Sequence, residues 1–196
     1  MFNQEWSAIH GGTEIRGITK FWLKLSPILA KPFISLRISP NIVTTLSLFS
    51  ALPLIFAPKM WIWVLVSLIL DGLDGTIAIL SKKITKFGAA LDSIADRAVE
   101  FIWIVALYKN GVNLIVLGFF LGGAWLQEYL RARAGGLGIR NISVVTISER
   151  PVRAIFTLMA IIFARFSGPI VLAATVVQLL ALMQLFRVYR VEFKAN

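Results

Sequence analysis

Six stretches of this chain come close to the ~20 residues that an α-helix needs to cross the hydrocarbon of a bilayer. They run over about Pro40–Phe56, Met60–Ser81, Phe87–Lys109, Leu114–Ala132, Arg150–Phe166 and Pro169–Arg187. Of the 196 residues, 58% are hydrophobic and only 15% charged, too polar-poor a balance for a water-soluble domain of this size. The expected fold is all-α: a polytopic membrane protein with six transmembrane helices, preceded by an interfacial amphipathic helix. The loops are short, no internal repeat occurs, and no segment is long and polar enough to fold separately. Residues 1–196 therefore read as one membrane domain, with an interfacial segment over 1–38 and a six-helix bundle over 40–187.

Lysine and arginine near span ends are retained on the cytoplasmic side. With both termini on that side, all 20 basic residues except Lys59, Lys109 and Arg165 fall there. The expectation is a multi-pass protein of the cell (inner or plasma) membrane with both termini and the active site facing the cytoplasm. The net charge of +10 borders the apolar segments and forms no single stripe, which argues against nucleic acid and points to membrane lipids and phosphorylated substrates. With no cysteine, a metal must be held by oxygen ligands or by the lone His10. The opening MFNQEWSAIHGG lacks the order of a cleaved signal peptide, so insertion is expected to rest on the later spans. Ile15, Ile18, Phe21, Trp22 and Leu25 recur at helical spacing, with Arg16, Lys20 and Lys24 at other positions. Such a helix either lies in the membrane interface or packs on the protein itself. The polar stretch RAGGLGIRNISVVTISER matches no phosphate loop and reads as a flexible cytoplasmic connection.

Aspartate occurs at Asp71, Asp74, Asp92 and Asp96, all inside expected spans. A charge at that depth is costly and is by default a candidate for function. Only Arg97 is an adjacent cation, so the four carboxylates repel one another unless protonated or bound to metal. The i,i+3 and i,i+4 spacings put each pair on one helical face, and the short SKKIT connection makes the two helices antiparallel neighbours. All-oxygen ligation suits Mg²⁺ or Mn²⁺. Gly75, Ala78 and Gly88 share the stripe, leaving space beside the metals or allowing close helix packing. Glu100 continues it as a structural acid or an accessory ligand. A cation- or proton-coupled transporter would also place carboxylates in spans. Here they cluster in one hairpin and form no column across the membrane.

The segment DGLDGTIAILSKKITKFGAALDSIAD resembles the signature of the CDP-alcohol phosphotransferase (CDP-alcohol phosphatidyltransferase) family, D-x-x-D-G-x-x-A-R-x8-G-x3-D-x3-D, at every defined position but one. Ile79 stands where the family has Arg, removing a cation near the nucleotide for which Arg97, Lys82, Lys83 or Lys86 could substitute. SPNIVT, with Pro40, Asn41 and Thr44, looks like the entry to the family's first span. EYLRARA and SERPVR look like cytoplasmic segments of actinobacterial members, including phosphatidylinositol-phosphate synthases.

The resemblance implies that Asp71, Asp74, Asp92 and Asp96 surround two divalent cations gripping the pyrophosphate of CDP-diacylglycerol, with Asp96 as general base. It places donor nucleotide contacts at Asn41, Thr44, Gly75, Ala78 and Gly88, and acceptor phosphate contacts at Arg131, Arg150 and Arg153. The implied reaction moves a phosphatidyl group to the hydroxyl of a small, phosphorylated alcohol of the inositol phosphate or glycerol 3-phosphate type, with release of CMP, in a homodimer.

Overall fold

The computed structural model describes residues 2, 5, 17–137 and 145–195. His10, Ile15, Arg16 and the 138–144 part of the expected loop lie outside them. Among the described residues the chain is helical and holds no strand. In order come α1 (Gly17–Ser35), α2 (Pro40–Ala51), α3 (Pro53–Phe56), α4 (Ile62–Leu80), α5 (Lys86–Lys109), α6 (Leu114–Gly136), α7 (Arg150–Ile162), a 3₁₀ turn (Ala164–Phe166) and α8 (Ser167–Ala195). Each expected span finds a helix. The first is interrupted beside Pro53, and the fifth ends early in the 3₁₀ turn. By length and composition Ile62–Leu80 and Ala164–Arg190 can cross a membrane, and the bent pair Lys20–Ser35 with Pro40–Phe56 could supply a third.

Sequence signals explain the helix ends. Ser39 caps α2 by accepting from the Ile42 N–H at 3.4 Å, with Pro40 in the first turn. Asn113 caps α6 through the Ile115 and Val116 N–H groups. Three helices finish in the same closure, with one left-handed residue and a bond from the next N–H back five residues. In α1 the left-handed residue is Arg37 (φ 56), with Ile38 N–H to Phe33 O at 2.9 Å. In α4 it is Lys82 (φ 54), with Lys83 N–H to Ala78 O at 2.9 Å. In α5 it is Gly111 (φ 88), the residue type that adopts this backbone without steric cost.

The chain divides into two compact units. The first comprises Met1–Leu52 and Leu65–Val99. It is built on Ala30, Val43, Leu73 and Ile77, with Trp22, Phe33 and Ile38 packed against them. The chain turns by 109° between Lys20–Ser35 and Pro40–Phe56. Ser47 Oγ donates to the Ser67 carbonyl at 2.9 Å, tying α2 to α4 with a bond worth about 1 kcal/mol inside a membrane.

The second unit comprises Pro53–Val64 and Glu100–Asn196, with α8 packed along α6 and α7. At Gly123 a Cβ would meet Gln178 Cγ at 2.9 Å, so the missing side chain sets the α6–α8 approach. Large apolar side chains such as Phe119, Leu172 and Phe186 are more than half exposed, a distribution suited to lipid as solvent.

Candidate active site

Helix α4 carries Asp71 and Asp74, and α5 carries Asp92 and Asp96. One carboxylate oxygen each from Asp71, Asp92 and Asp96 lies within 4.8 Å of the others. All three residues are half-buried. Asp96 also stands 3.7 Å from the Arg97 guanidinium. Asp74 lines the same cleft as Asp71 and Asp92 but lies outside this close group of three. It is 5% exposed, and its carboxylate accepts from Thr44 Oγ1 and from the Gly75 N–H at 2.5 Å. A carboxylate withdrawn from solvent takes the nearest donors, so Asp74 is tied to α2. Hard, all-oxygen donors this close together fit a divalent cation such as Mg²⁺ or Mn²⁺, which would relieve their repulsion.

Asp71, Asp74 and Asp92 open onto a cleft of about 370 Å³ in the first unit. Asn41, Thr44, Gly75, Ala78 and Gly88, the residues expected at the donor, all line it, together with Trp22, Ile79, Lys83 and Thr85. The glycines separate by role. A Cβ on Gly75 would meet nothing within 4 Å, so this glycine leaves open space where close packing was the other possibility. A Cβ on Gly88 would lie 3.1 Å from Asn41 Oδ1, and one on Gly72 only 2.6 Å from Trp22 Cζ2. Gly72 therefore seats the Trp22 indole.

The expected acceptor residues belong to the second unit. Arg131 forms a two-pronged pair with Glu149, Nη1 to Oε2 at 2.9 Å and Nη2 to Oε1 at 2.5 Å. Glu149 Oε1 also accepts from Thr146 N–H and Oγ1 at 2.6 and 2.8 Å. Burial pushes the Glu149 carboxyl up, but the Arg131 hydrogen bonds and charge, with those from Thr146, outweigh it and hold it below its ordinary range. The Arg150 guanidinium lies 5.8 Å from the Trp103 ring centre, within cation–π range. Arg153 departs from its expected role. It is 2% exposed and donates to Glu100 Oε1 from Nε and Nη2 at 2.9 and 2.7 Å, and to the Ser148 carbonyl at 2.7 Å. Glu100 is thereby placed as a structural acid.

A family model described as CDP-alcohol phosphatidyltransferase matches residues 37–186. The chain belongs to this family. It is accordingly a membrane enzyme of phospholipid biosynthesis that transfers a phosphatidyl group to an alcohol. Relatives include the archaetidylinositol phosphate synthase of Aeropyrum pernix, 27% identical over 74% of this chain and 84% of that protein. The phosphatidylinositol phosphate synthase of Cutibacterium acnes is 32% identical over 71% of this chain and 73% of that one. The fold resembles the crystal structure of Mycobacterium tuberculosis phosphatidylinositol phosphate synthase with CDP-DAG bound, with TM-score 0.68 and 23% identity. The alignment covers 84% of this chain and 92% of that one.

For this family member the sequence reading missed the partners of the expected residues. Gln127 and Gln178 are fully buried and joined, Gln178 Nε2 to Gln127 Oε1 at 2.8 Å. Ser148 Oγ donates to Gln178 at 2.7 Å. Two amides inside apolar runs were the visible signal, because lipid offers them no partner and they must find polar groups within the protein, here each other, Thr146 and Ser148.

Proposed function

We propose that the enzyme transfers a phosphatidyl group from CDP-diacylglycerol to the hydroxyl of a small phosphorylated alcohol, with release of CMP. The observation that carries this reading is the convergence of Asp71, Asp92 and Asp96 beside a cleft lined by Asn41, Thr44, Gly75, Ala78 and Gly88. The names of the Aeropyrum and Cutibacterium relatives favour an inositol phosphate over glycerol 3-phosphate as acceptor. The arrangement proposed around this site is a homodimer of six-span bundles, with both termini cytoplasmic and α1 at the membrane interface.

Asp71, Asp92 and Asp96, with Asp74 held nearby by Thr44, are the residues that would bind two divalent cations. Such ions supply charge neutralisation on the phosphoryl oxygens and on departing CMP. The acceptor hydroxyl oxygen forms a bond to the diacylglycerol-linked phosphorus as the bond from that phosphorus to CMP breaks. Asp96 accepts the hydroxyl proton. Gly75 keeps space open beside the carboxylates, and Arg131 and Arg150 are the proposed contacts for the acceptor's phosphate. Arg153, engaged with Glu100, holds helices together.

The test is CMP release from CDP-diacylglycerol by the purified protein, across a panel of acceptors. Activity should vanish in excess EDTA and return with Mg²⁺ or Mn²⁺. Asp96→Asn keeps the shape and one coordinating oxygen but cannot take a proton, so turnover should fall ~100-fold or more while metal-dependent donor binding partly survives. Near wild-type turnover by that variant would remove Asp96 as base. Full activity in EDTA would remove the metal reading, and cation flux through liposomes without CMP release would favour a transporter.

A further inference from the structure

The α4–α5 connection carries Lys82, Lys83 and Lys86, and the structure treats them differently. Lys83 lines the cleft, and neither Lys82 nor Lys86 does. Among the described residues Lys83 is the one cation on a wall that also presents Asp71, Asp74 and Asp92. Its position follows from the backbone. Lys82 takes the left-handed conformation at φ 54, its N–H bonds Ile79 O at 3.1 Å, and the Lys83 N–H bonds Ala78 O at 2.9 Å. Ala78 and Ile79 themselves line the cleft. The root of the Lys83 side chain is thus stitched to the cleft wall, and the four-carbon stem gives its ammonium a short radius of search within that space.

We propose that Lys83 is a donor-binding residue, whose ammonium pairs with a phosphate oxygen of the donor's pyrophosphate. The inference rests on the functional reading above and adds a contact to it. A pyrophosphate entering a cleft of three carboxylates meets repulsion from the chain itself, and Lys83 is the group on the wall that opposes it. Ile79 is 5% exposed and offers only apolar surface there. Arg97 is already beside Asp96. The competing role for Lys83 is to offset repulsion among the aspartates, and removing the lysine has a different consequence under each role.

The experiment uses full-length protein in detergent, with soluble CDP as probe in Mn²⁺ by isothermal titration, and the KM for CDP-diacylglycerol alongside. Lys83→Gln should weaken CDP binding and raise the donor KM by about tenfold or more, the scale of a charge-assisted hydrogen bond. Acceptor KM should stay within twofold, Lys83→Arg should recover most of the loss, and Lys82→Gln should change neither constant by more than twofold. Unchanged CDP affinity with tighter Mn²⁺ binding in Lys83→Gln would overturn the proposal in favour of charge balancing. Equal losses in Lys82→Gln would overturn it as a general effect of surface charge. Failure of the wild type to bind CDP or release CMP would instead sink the functional reading, and the proposal with it.

Discussion

Replacing Glu100 by Gln, or Arg153 by Met, should unfold the second unit's interior before it affects substrate handling. Both side chains are at most 5% exposed, and Arg153 makes two bonds to Glu100 and a third to the Ser148 carbonyl. Removing one member of a buried pair takes the nearest counter-charge from the other, leaving Arg153 with Glu128 at 3.6 Å in the Glu100 variant, and breaking such pairs costs about 3–5 kcal/mol. For a chain of this length each kcal/mol moves the melting temperature by about 2–4 °C, so the expected drop is on the order of 10 °C. Arg153→Met should be the more severe, because it also leaves the Ser148 carbonyl with only the longer bond from Gln127 Nε2 at 3.4 Å. The double variant Glu100→Gln/Arg153→Met should recover part of the loss, since no uncompensated charge remains. Thermal unfolding of the four proteins in detergent, followed by intrinsic fluorescence, measures this directly. The reasoning fails if both single variants melt within 2 °C of wild type, or if the double variant loses the sum of the two. A large rise in acceptor KM with unchanged stability would return Arg153 to the substrate.

The glycines of α4 give a second contrast. Gly72→Ala drives a Cβ to 2.6 Å from the Trp22 ring and should cost about 1–3 kcal/mol by overpacking. Gly75→Ala meets nothing and should keep or raise stability while raising the donor KM; equal melting temperatures for the two variants would contradict the contact at Trp22. A third prediction concerns acid. The Glu149 carboxyl is held below its ordinary 4.5, so its contribution to stability is present above that value and lost as pH falls through the lowered one. The stability gap between wild type and Glu149→Gln should be constant near neutrality and narrow below about pH 4.5, and a gap independent of pH in that range would refute the pair's role. Finally, Lys82→Gly should stabilise α4 by about 1 kcal/mol at most, because glycine adopts the left-handed turn without the Cβ cost. A destabilised Lys82→Gly would show that the lysine side chain matters more than its backbone.

The parts of the site legible in the sequence were those fixed by helical periodicity. Spacings of three and four residues put Asp71 with Asp74 and Asp92 with Asp96 on single helical faces, from which α4 and α5 bring Asp71, Asp92 and Asp96 together, and the same periodicity put Gly75 and Ala78 on the cleft. What local spacing could not supply was partner choice over long sequence separations. Thr44 takes Asp74 across 30 positions, and Glu100 takes Arg153 across 53. In both cases desolvation forces a buried charge to find a donor or counter-ion, and which one it finds depends on tertiary packing. Arginine near a span end reads as cytoplasmic by its charge alone, so nothing local distinguishes the buried Arg153 from Arg150. The helix ends were similarly split. Gly111 is an ordinary stop signal, whereas Arg37 and Lys82 close helices in a conformation that their residue type gives no reason to expect.

Trp22, seated on Gly72, bears on where this enzyme can be cut. The family match begins at residue 37, and Trp22 belongs to the helix before it. A chain trimmed to start at Pro40 would keep the four aspartates and the whole signature, yet lose one wall of the cleft and leave Val43, Leu73 and Ile77 without Ala30 and Phe33 against them. The stretch that sequence similarity delimits is therefore smaller than the piece that can stand as a catalyst, and truncation or fusion boundaries belong upstream of α1.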